Sequence, residues 1–196
     1  MKPSIAFFDF DGTITTKDTL FEIIRYHKGS GALYAGMTLL SPALVAFRLK
    51  LISTQRMKEM VFRFFFGGMR VEAFRDKCAE FCTERLPGLV KENALQAIRH
   101  HLAQGHQVAV VTASAEDWVK PWCSSLGIVC IGTQLEVRNT LITGKIHGLN
   151  CNGPEKVERI KQAFDLNGYD DIYAYGDTSG DRPMLAIAKY GYFQKF

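Results

Sequence analysis

The sequence predicts an α/β protein: a three-layer, Rossmann-like core with a parallel sheet, interrupted by an inserted α-helical cap. Three observations carry that expectation. The apolar run Ile5 to Phe8 reads as a buried strand and ends directly on two acids, Asp9 and Asp11. From Asp18 to about Arg85 the patterning is mainly helical. After Pro87-Gly88, helical stretches alternate with short apolar runs, the grammar of βαβ units and hence of a parallel sheet.

In chain order, the strand Ile5 to Phe8 places Asp9 where parallel strands end and ligands bind. Gly12 lets the chain turn tightly and leaves backbone amides free to face an anion. Residues 18–85 are assigned to the cap, and residues 1–17 together with 86–196 to the core. Within the cap, Gly29 to Phe47 contains no charged residue and approaches the length of a membrane span. Pro42, the glycines and the flanking Lys28, Arg48 and Lys50 favour a folded hairpin, with an apolar face free for peripheral contact with membrane or a lipid substrate. Beyond it the pattern predicts a helix from about Val90 to Gln104, a strand over Val108 to Thr112, a helix from about Glu116 to Leu126 and a short strand over Val129 to Ile131. Leu135 to His147 alternates around Asn139 and Gly144 like a β-hairpin. A helix from about Pro154 to Phe164 and a strand over Ile172 to Tyr175 follow. Asp181 then opens a last helix as its N-cap, with Pro183 in the first turn where a missing amide matters little.

Composition narrows the function. A chain of 196 residues with 47% hydrophobic content can bury a sizeable core. Its net charge of +4 comes from 24 basic residues spread among 20 acidic ones, without the basic blocks that would argue for a nucleic-acid partner. The five cysteines are odd in number and form no Cys-x-x-Cys pair, so they read as reduced thiols. The acids at positions 9 and 11 break what would otherwise be an apolar leader, and a cytoplasmic location is expected. The histidines fall in no metal-binding spacing and are expected at the surface. Phe62, Phe64, Phe65 and Phe66 are expected in the cap core, and Trp118 and Trp122 in packing roles.

Four elements carry chemistry: Asp-Phe-Asp-Gly-Thr at 9–13, Val-Val-Thr-Ala-Ser ending at Ser114, Lys156 within Gly-Pro-Glu-Lys-Val, and Tyr-Gly-Asp-Thr-Ser-Gly-Asp over 175–181. A carboxylate in line with phosphorus can act as a nucleophile, and a nearby second acid can move the protons. Two carboxylates facing a phosphate need a cation, and hard oxygen ligands select magnesium. Hydroxyls and amides at the strand end over 112–114 suit an oxyanion, whereas an isolated lysine is ordinarily a solvated surface charge.

In this order and spacing the four elements resemble the haloacid dehalogenase (HAD) superfamily, and more narrowly its subfamily IB, the phosphoserine phosphatase-like branch. The resemblance spans Ile5 to about Met184. It implies a HAD core with a C1-type helical cap and a Mg2+-dependent phosphomonoester phosphatase. On that reading Asp9 forms an aspartyl phosphate, and Asp11 is general acid and base. Lys156 neutralises nucleophile and phosphate oxygens. Gly12, Thr13, Thr112 and Ala113 bind the phosphate, with Thr13 alternatively orienting Asp11. Asp9, the Asp11 backbone carbonyl and Asp177 hold the metal, and Asp181 supports them from behind, caps its helix, or does both. Where the family's phosphoserine enzymes use a cap arginine, the ungapped alignment puts Met60, with Arg56, Lys58 and Arg63 nearby. Asp18 stands in place of their cap glutamate, and Gly180 where they often carry asparagine. Asp18 and Arg56 are therefore the expected cap contacts to substrate. The expected substrate is a small-molecule or lipid phosphate monoester. Phosphoserine, a phosphotransferase reaction, and a non-catalytic phosphate-binding regulatory protein of the same fold are the alternatives.

Overall fold

β1, Ser4–Phe8, lies at the middle of a five-stranded parallel sheet of order β3-β2-β1-β6-β7, in a computed structural model that describes residues 2–196. Its neighbours are β2 (Gln107–Ala115) and β6 (Asp171–Gly176), with β3 (Val129–Thr133) and β7 (Tyr190–Phe193) outside them. The expected strands are all present. β2 runs past Thr112 to Ala115, and β7 has no counterpart in the sequence reading.

A central strand buried on both faces explains why the run is continuously apolar rather than alternating. Ile5 and Phe7 pack on one face with Ala109, Val111, Ile160, Phe164 and Met184. Ala6 and Phe8 pack on the other with Val108, Val110, Ile98 and Trp118. On the second face Phe8 stacks on Tyr175 with ring centroids 4.4 Å apart. His101 is here too, buried rather than at the surface, 3.1 Å from the Tyr175 hydroxyl and facing His106, and burial pushes its pKa down to about 4.

The segment between β1 and β2 is helical: α1 (Thr19–Leu39), α2 (Ser41–Arg48), α3 (Thr54–Phe66) and α4 (Val71–Glu84) precede α5 (Glu92–Ala103). α1 is broken at Gly29, whose φ of 82° lies in the left-handed region that glycine adopts without strain. Among the described residues no single helix is long and apolar enough to cross a membrane; α1 and α2 pass such a test only as a pair bent by 58°. α6 (Glu116–Ser125) links β2 to β3.

The hairpin consists of β4 (Leu135–Arg138) and β5 (Leu141–Ile146), turning at Asn139-Thr140 with both residues at positive φ, as a two-residue turn requires. Gly144 is not at the turn but inside β5. There it passes against Arg63 of α3, so closely that an added Cβ would sit 2.3 Å from the Arg63 Cα. The hairpin also bonds to the loop after α3, with Ile142 N donating to Met69 O at 2.9 Å. α7 (Pro154–Ala163) and the short α8 (Arg182–Ala186) complete the far face.

Candidate active site

Three strand ends meet at one edge of the sheet. The register that pairs Phe8 with Val110 on one side and Tyr175 on the other sets the ends of β1, β2 and β6 next to each other. Asp9 leaves β1, Thr112 to Ser114 lie in the last turn of β2, and Asp177 follows β6. In an open parallel sheet this edge, where the strand order reverses about β1, is where ligands bind.

Lys156 is the hub. It is 1% exposed, and its amine donates to Asp9 Oδ1, to Val111 O at 2.7 Å and to Asp181 Oδ1 at 2.7 Å. An ammonium without water needs all three partners. Burial alone would discharge it, but the charges of Asp9 and Asp181 prevail and hold its pKa above the ordinary lysine value. The two acids respond differently. Burial pushes Asp9 up to about 7, with Asp181 and Asp11 adding to the rise and Lys156 opposing it. Burial also acts upward on Asp181, but Lys156 and Thr178 outweigh it and hold that carboxyl below its usual range.

Asp11 is fixed by three donors: Thr19 N at 2.7 Å and Thr19 Oγ1 at 2.6 Å on Oδ1, and Ser114 Oγ at 2.6 Å on Oδ2. Thr19 Oγ1 also accepts from Trp118 Nε1 at 3.1 Å, so Trp118 is more than packing. Asp177 lies behind Gly12. A Cβ at Gly12, where φ is 83°, would come within 2.2 Å of Asp177 Oδ2, so only glycine fits.

Several expectations change here. Thr13 touches neither Asp11 nor the open cavity. It is buried, and its hydroxyl donates to Asp177 Oδ1 at 2.9 Å, because the tight turn at Gly12 brings the two loops together. Thr112 is also fully buried, its Oγ1 accepting from Ser114 N at 3.0 Å, whereas Ala113 and Ser114 line the cavity. Asp181 does not cap α8. Its Oδ2 accepts from Asp177 N, Thr178 N and Thr178 Oγ1 at 3.2, 2.9 and 2.8 Å, because a buried lysine and these donors outbid a helix that opens on Pro183.

Arg56 is exposed and does not reach the site, since it projects from the outer side of α3. Lys58, two residues on, turns inward with Phe62. Its Nζ donates to Ala113 O at 2.7 Å and to Asn150 Oδ1 at 3.2 Å. Desolvation holds the Lys58 pKa below the ordinary lysine value against the pull of Asp11 and Asp18. Asp18 does line the cavity while its Oδ1 caps α1 through Leu20 N at 2.9 Å. The enclosure of the cleft, then the charge of Asp11, push its carboxyl up to about 6. Over Gly180, the space a side chain would need is taken by Asn152, whose Oδ1 would lie 2.1 Å from an added Cβ.

The sequence reading missed Thr19, Asn150 and Asn152, and it named Ser114, Trp118 and Lys58 without the roles they have here. Lys58 carried a legible signal: it is four residues from Phe62, on the face that α3 buries.

The cavity holds about 130 Å³ and is lined by the apolar Leu20, Phe62 and Trp118 and by the charged Lys58, Asp18, Asp9, Asp11 and Lys156. The donor set for a cation is oxygen only. Carboxylate oxygens of Asp9, Asp177 and Asp181 come within 4.8 Å of one another. With Asp181 already accepting from Lys156, Asp177 N and Thr178, the carboxylates left with free lone pairs are those of Asp9 and Asp177, which fit Mg2+.

Carboxylates and a buried lysine gathered at the switch point of a parallel sheet are groups suited to phosphoryl chemistry. The model of the haloacid dehalogenase-like hydrolases matches residues 6–186, and the chain belongs to that family. It is similar to the protein CicA of Caulobacter vibrioides, 35% identical over 191 residues, covering 95% of this chain and 84% of that one. It is also similar to a probable phosphatase of Mycobacterium tuberculosis, 30% identical, covering 92% of this chain and 64% of the relative. A solved phospho-aspartyl intermediate analogue of phosphoserine phosphatase shares the fold, with TM-score 0.67 at 20% identity over 98% of this chain and 86% of that one. The chain is thus a hydrolase of this family that shares its fold with phosphoserine phosphatase.

Proposed function

We propose that the chain is a Mg2+-dependent phosphomonoester phosphatase that works through an aspartyl phosphate on Asp9. The observation that carries this is the division of labour between two carboxylates: Asp9 bound on one oxygen by Lys156, Asp11 bound on both oxygens by Thr19 and Ser114. A site that only bound phosphate would have no use for a second, separately oriented acid.

Asp9 Oδ2 attacks phosphorus, and the bond from phosphorus to the ester oxygen breaks with its electron pair. Asp11 delivers a proton to that oxygen, and the alcohol leaves. Asp11 then takes a proton from water as the water oxygen attacks phosphorus, and the bond to Asp9 breaks to restore its carboxylate. Lys156 keeps Asp9 Oδ1 occupied, so the other oxygen faces the substrate. Asp9, Asp177 and the Asp11 backbone carbonyl would hold Mg2+, which would supply the positive charge that a dianionic phosphate needs to approach these acids.

The small cavity favours a small soluble ester over a lipid phosphate, because about 130 Å³ admits a phosphoryl group and a few further heavy atoms. Lys58 and Asp18, both in the cavity lining, favour a substrate bearing both a negative and a positive group, as phosphoserine does. With Met60 at the position of the family's cap arginine, Lys58 is the cap cation that reaches the cavity.

The test is phosphate release from phosphoserine, sugar phosphates, nucleotides and lipid monophosphates, with Mg2+ or chelator, by the wild type and Asp9→Asn. Magnesium-dependent turnover of a small ester that Asp9→Asn abolishes is expected. Full activity in Asp9→Asn overturns the mechanism, and a lipid ester turned over faster than any soluble one overturns the substrate class.

A further inference from the structure

Between Ser41 and Arg48 at its ends, α2 is apolar all round, although it lies at the surface. Leu44 and Phe47 turn toward the core, yet α2 contains no fully buried residue. On the other side Leu39, Pro42, Val45 and Leu49 recur at spacings of three and four across the bend between α1 and α2. Leu39 is 69% exposed, Val45 58%, Leu49 65%, and Leu51 just beyond 74%. A surface helix ordinarily turns charged residues outward, so this face lacks its usual solvent-facing half.

The charges along this stretch of chain have one sign. From Ile23 to Lys58 there is no Asp or Glu, against six Lys and Arg. Four of these, Lys28, Arg48, Lys50 and Arg56, are exposed and form no ion pair among the described residues. Arg48 and Lys50 bracket Leu49 directly. An apolar stripe with a basic rim matches an anionic bilayer surface, where the leucines enter the headgroup boundary and the cations meet lipid phosphates. A second copy of this chain is a poor occupant, because a two-fold contact through this face would set one basic rim against another. The 58° bend and the absence of any single spanning helix among the described residues fit a segment that lies on the membrane rather than through it.

We infer that the α1–α2 elbow, centred on Leu39, Val45, Leu49 and Leu51 with Arg48 and Lys50, is a peripheral docking surface for anionic membranes. It is separate from the catalytic cavity, and none of these residues lines that cavity.

The experiment is co-sedimentation of the full chain with vesicles of pure phosphatidylcholine or of phosphatidylcholine with phosphatidylglycerol, at low and high salt. The variants are Arg48→Glu with Lys50→Glu, and Leu49→Asp with Leu51→Asp. Circular dichroism and thermal melting show that each is folded, independently of any phosphatase assay. Binding to the anionic vesicles is expected, weakened by high salt and at least tenfold weaker on neutral vesicles. Losing two interfacial cations alone would weaken it about thirtyfold, so their reversal to Glu should weaken it by at least that much. The leucine variant should lose binding at every salt concentration. No sedimentation with anionic vesicles at low salt overturns the inference, as do equal binding to both vesicle types and a stable dimer that Leu49→Asp with Leu51→Asp dissociates.

Discussion

Ser114→Ala removes one of the three hydrogen bonds that hold the Asp11 carboxylate, the 2.6 Å bond to Oδ2, and leaves both Thr19 bonds on Oδ1. Asp11 therefore stays in the site but can pivot about Oδ1. A hydrogen bond to a charged group contributes about 1.5–3 kcal/mol. If the transition state uses that orientation fully, kcat/KM for an alkyl phosphate falls about 10- to 100-fold, at roughly 1.4 kcal/mol per factor of ten. The diagnostic is the leaving group. An alkoxide needs the Asp11 proton as it departs, whereas p-nitrophenolate leaves without one, and kcat/KM reports the steps through departure. Measured on both substrates with Mg2+ present, Ser114→Ala should lose activity on the alkyl ester and at most about threefold on p-nitrophenyl phosphate, the part of the effect that is not proton transfer. Equal losses on the two esters would mean that Ser114 acts on binding or folding. No loss on either would mean that Thr19 alone orients the acid.

Lys156→Met should abolish turnover and lower stability by about 3–5 kcal/mol in metal-free protein, because it strands Asp9 and Asp181 in a dry site; urea unfolding with chelator measures this, and a drop below about 1 kcal/mol would contradict the buried-hub reading. Gly12→Ala should cost about 1–2 kcal/mol for the left-handed backbone alone and should also weaken metal affinity by displacing Asp177, which calorimetric Mg2+ titration would detect. Asp9 gives a pH signature. Its folded pKa near 7 lies above the ordinary 3.8, so the folded metal-free protein binds the extra proton; this stability is complete at about pH 4 and lost as pH rises through about 7. Thermal melts with chelator should therefore show wild type losing stability relative to Asp9→Asn between those values, and parallel profiles would place the Asp9 pKa near normal. Lys58→Met should raise KM for phosphoserine while leaving that for p-nitrophenyl phosphate, which lacks a second anionic group, almost unchanged.

Much of the core was legible because a parallel sheet imposes a strong sequence pattern. Ile5 to Phe8 could only be a strand buried on both faces, and the residue after such a strand has one place to be. The structure accordingly brings Asp9, Asp11, Lys156 and Asp177 to one edge. What stayed hidden depends on side chains meeting across elements far apart in sequence. Thr13 and Asp177 are 164 residues apart, and nothing near Thr13 signals that its hydroxyl turns backward to that acid instead of forward to phosphate. Arg56 and Lys58 were indistinguishable as nearby basic residues until the rotation of α3 was known, although the spacing from Lys58 to Phe62 contained that information. β7 escaped because Tyr190 to Phe193 contains a glycine and mixed exposure, and its strand character comes from pairing with β6 rather than from any local pattern.

The clamp on Asp11 also explains why the helical segment and the core act as one site. Thr19 is the first residue of α1, so the acid that belongs to β1 is oriented by the chain's entry into the helices. Ser114 is the last turn of β2, and Trp118 on α6 holds the same Thr19 hydroxyl. Lys58 ties α3 to the end of β2 through Ala113 O, and Asn150 Oδ1, its other partner, also accepts from Thr133 at the end of β3. A shift of the helices away from the sheet would break the Lys58 bonds and pull Thr19 from Asp11 together, disarming the acid as the cavity opens. On the proposed mechanism, proton delivery by Asp11 would then be confined to the arrangement in which Thr19 and Ser114 both hold it.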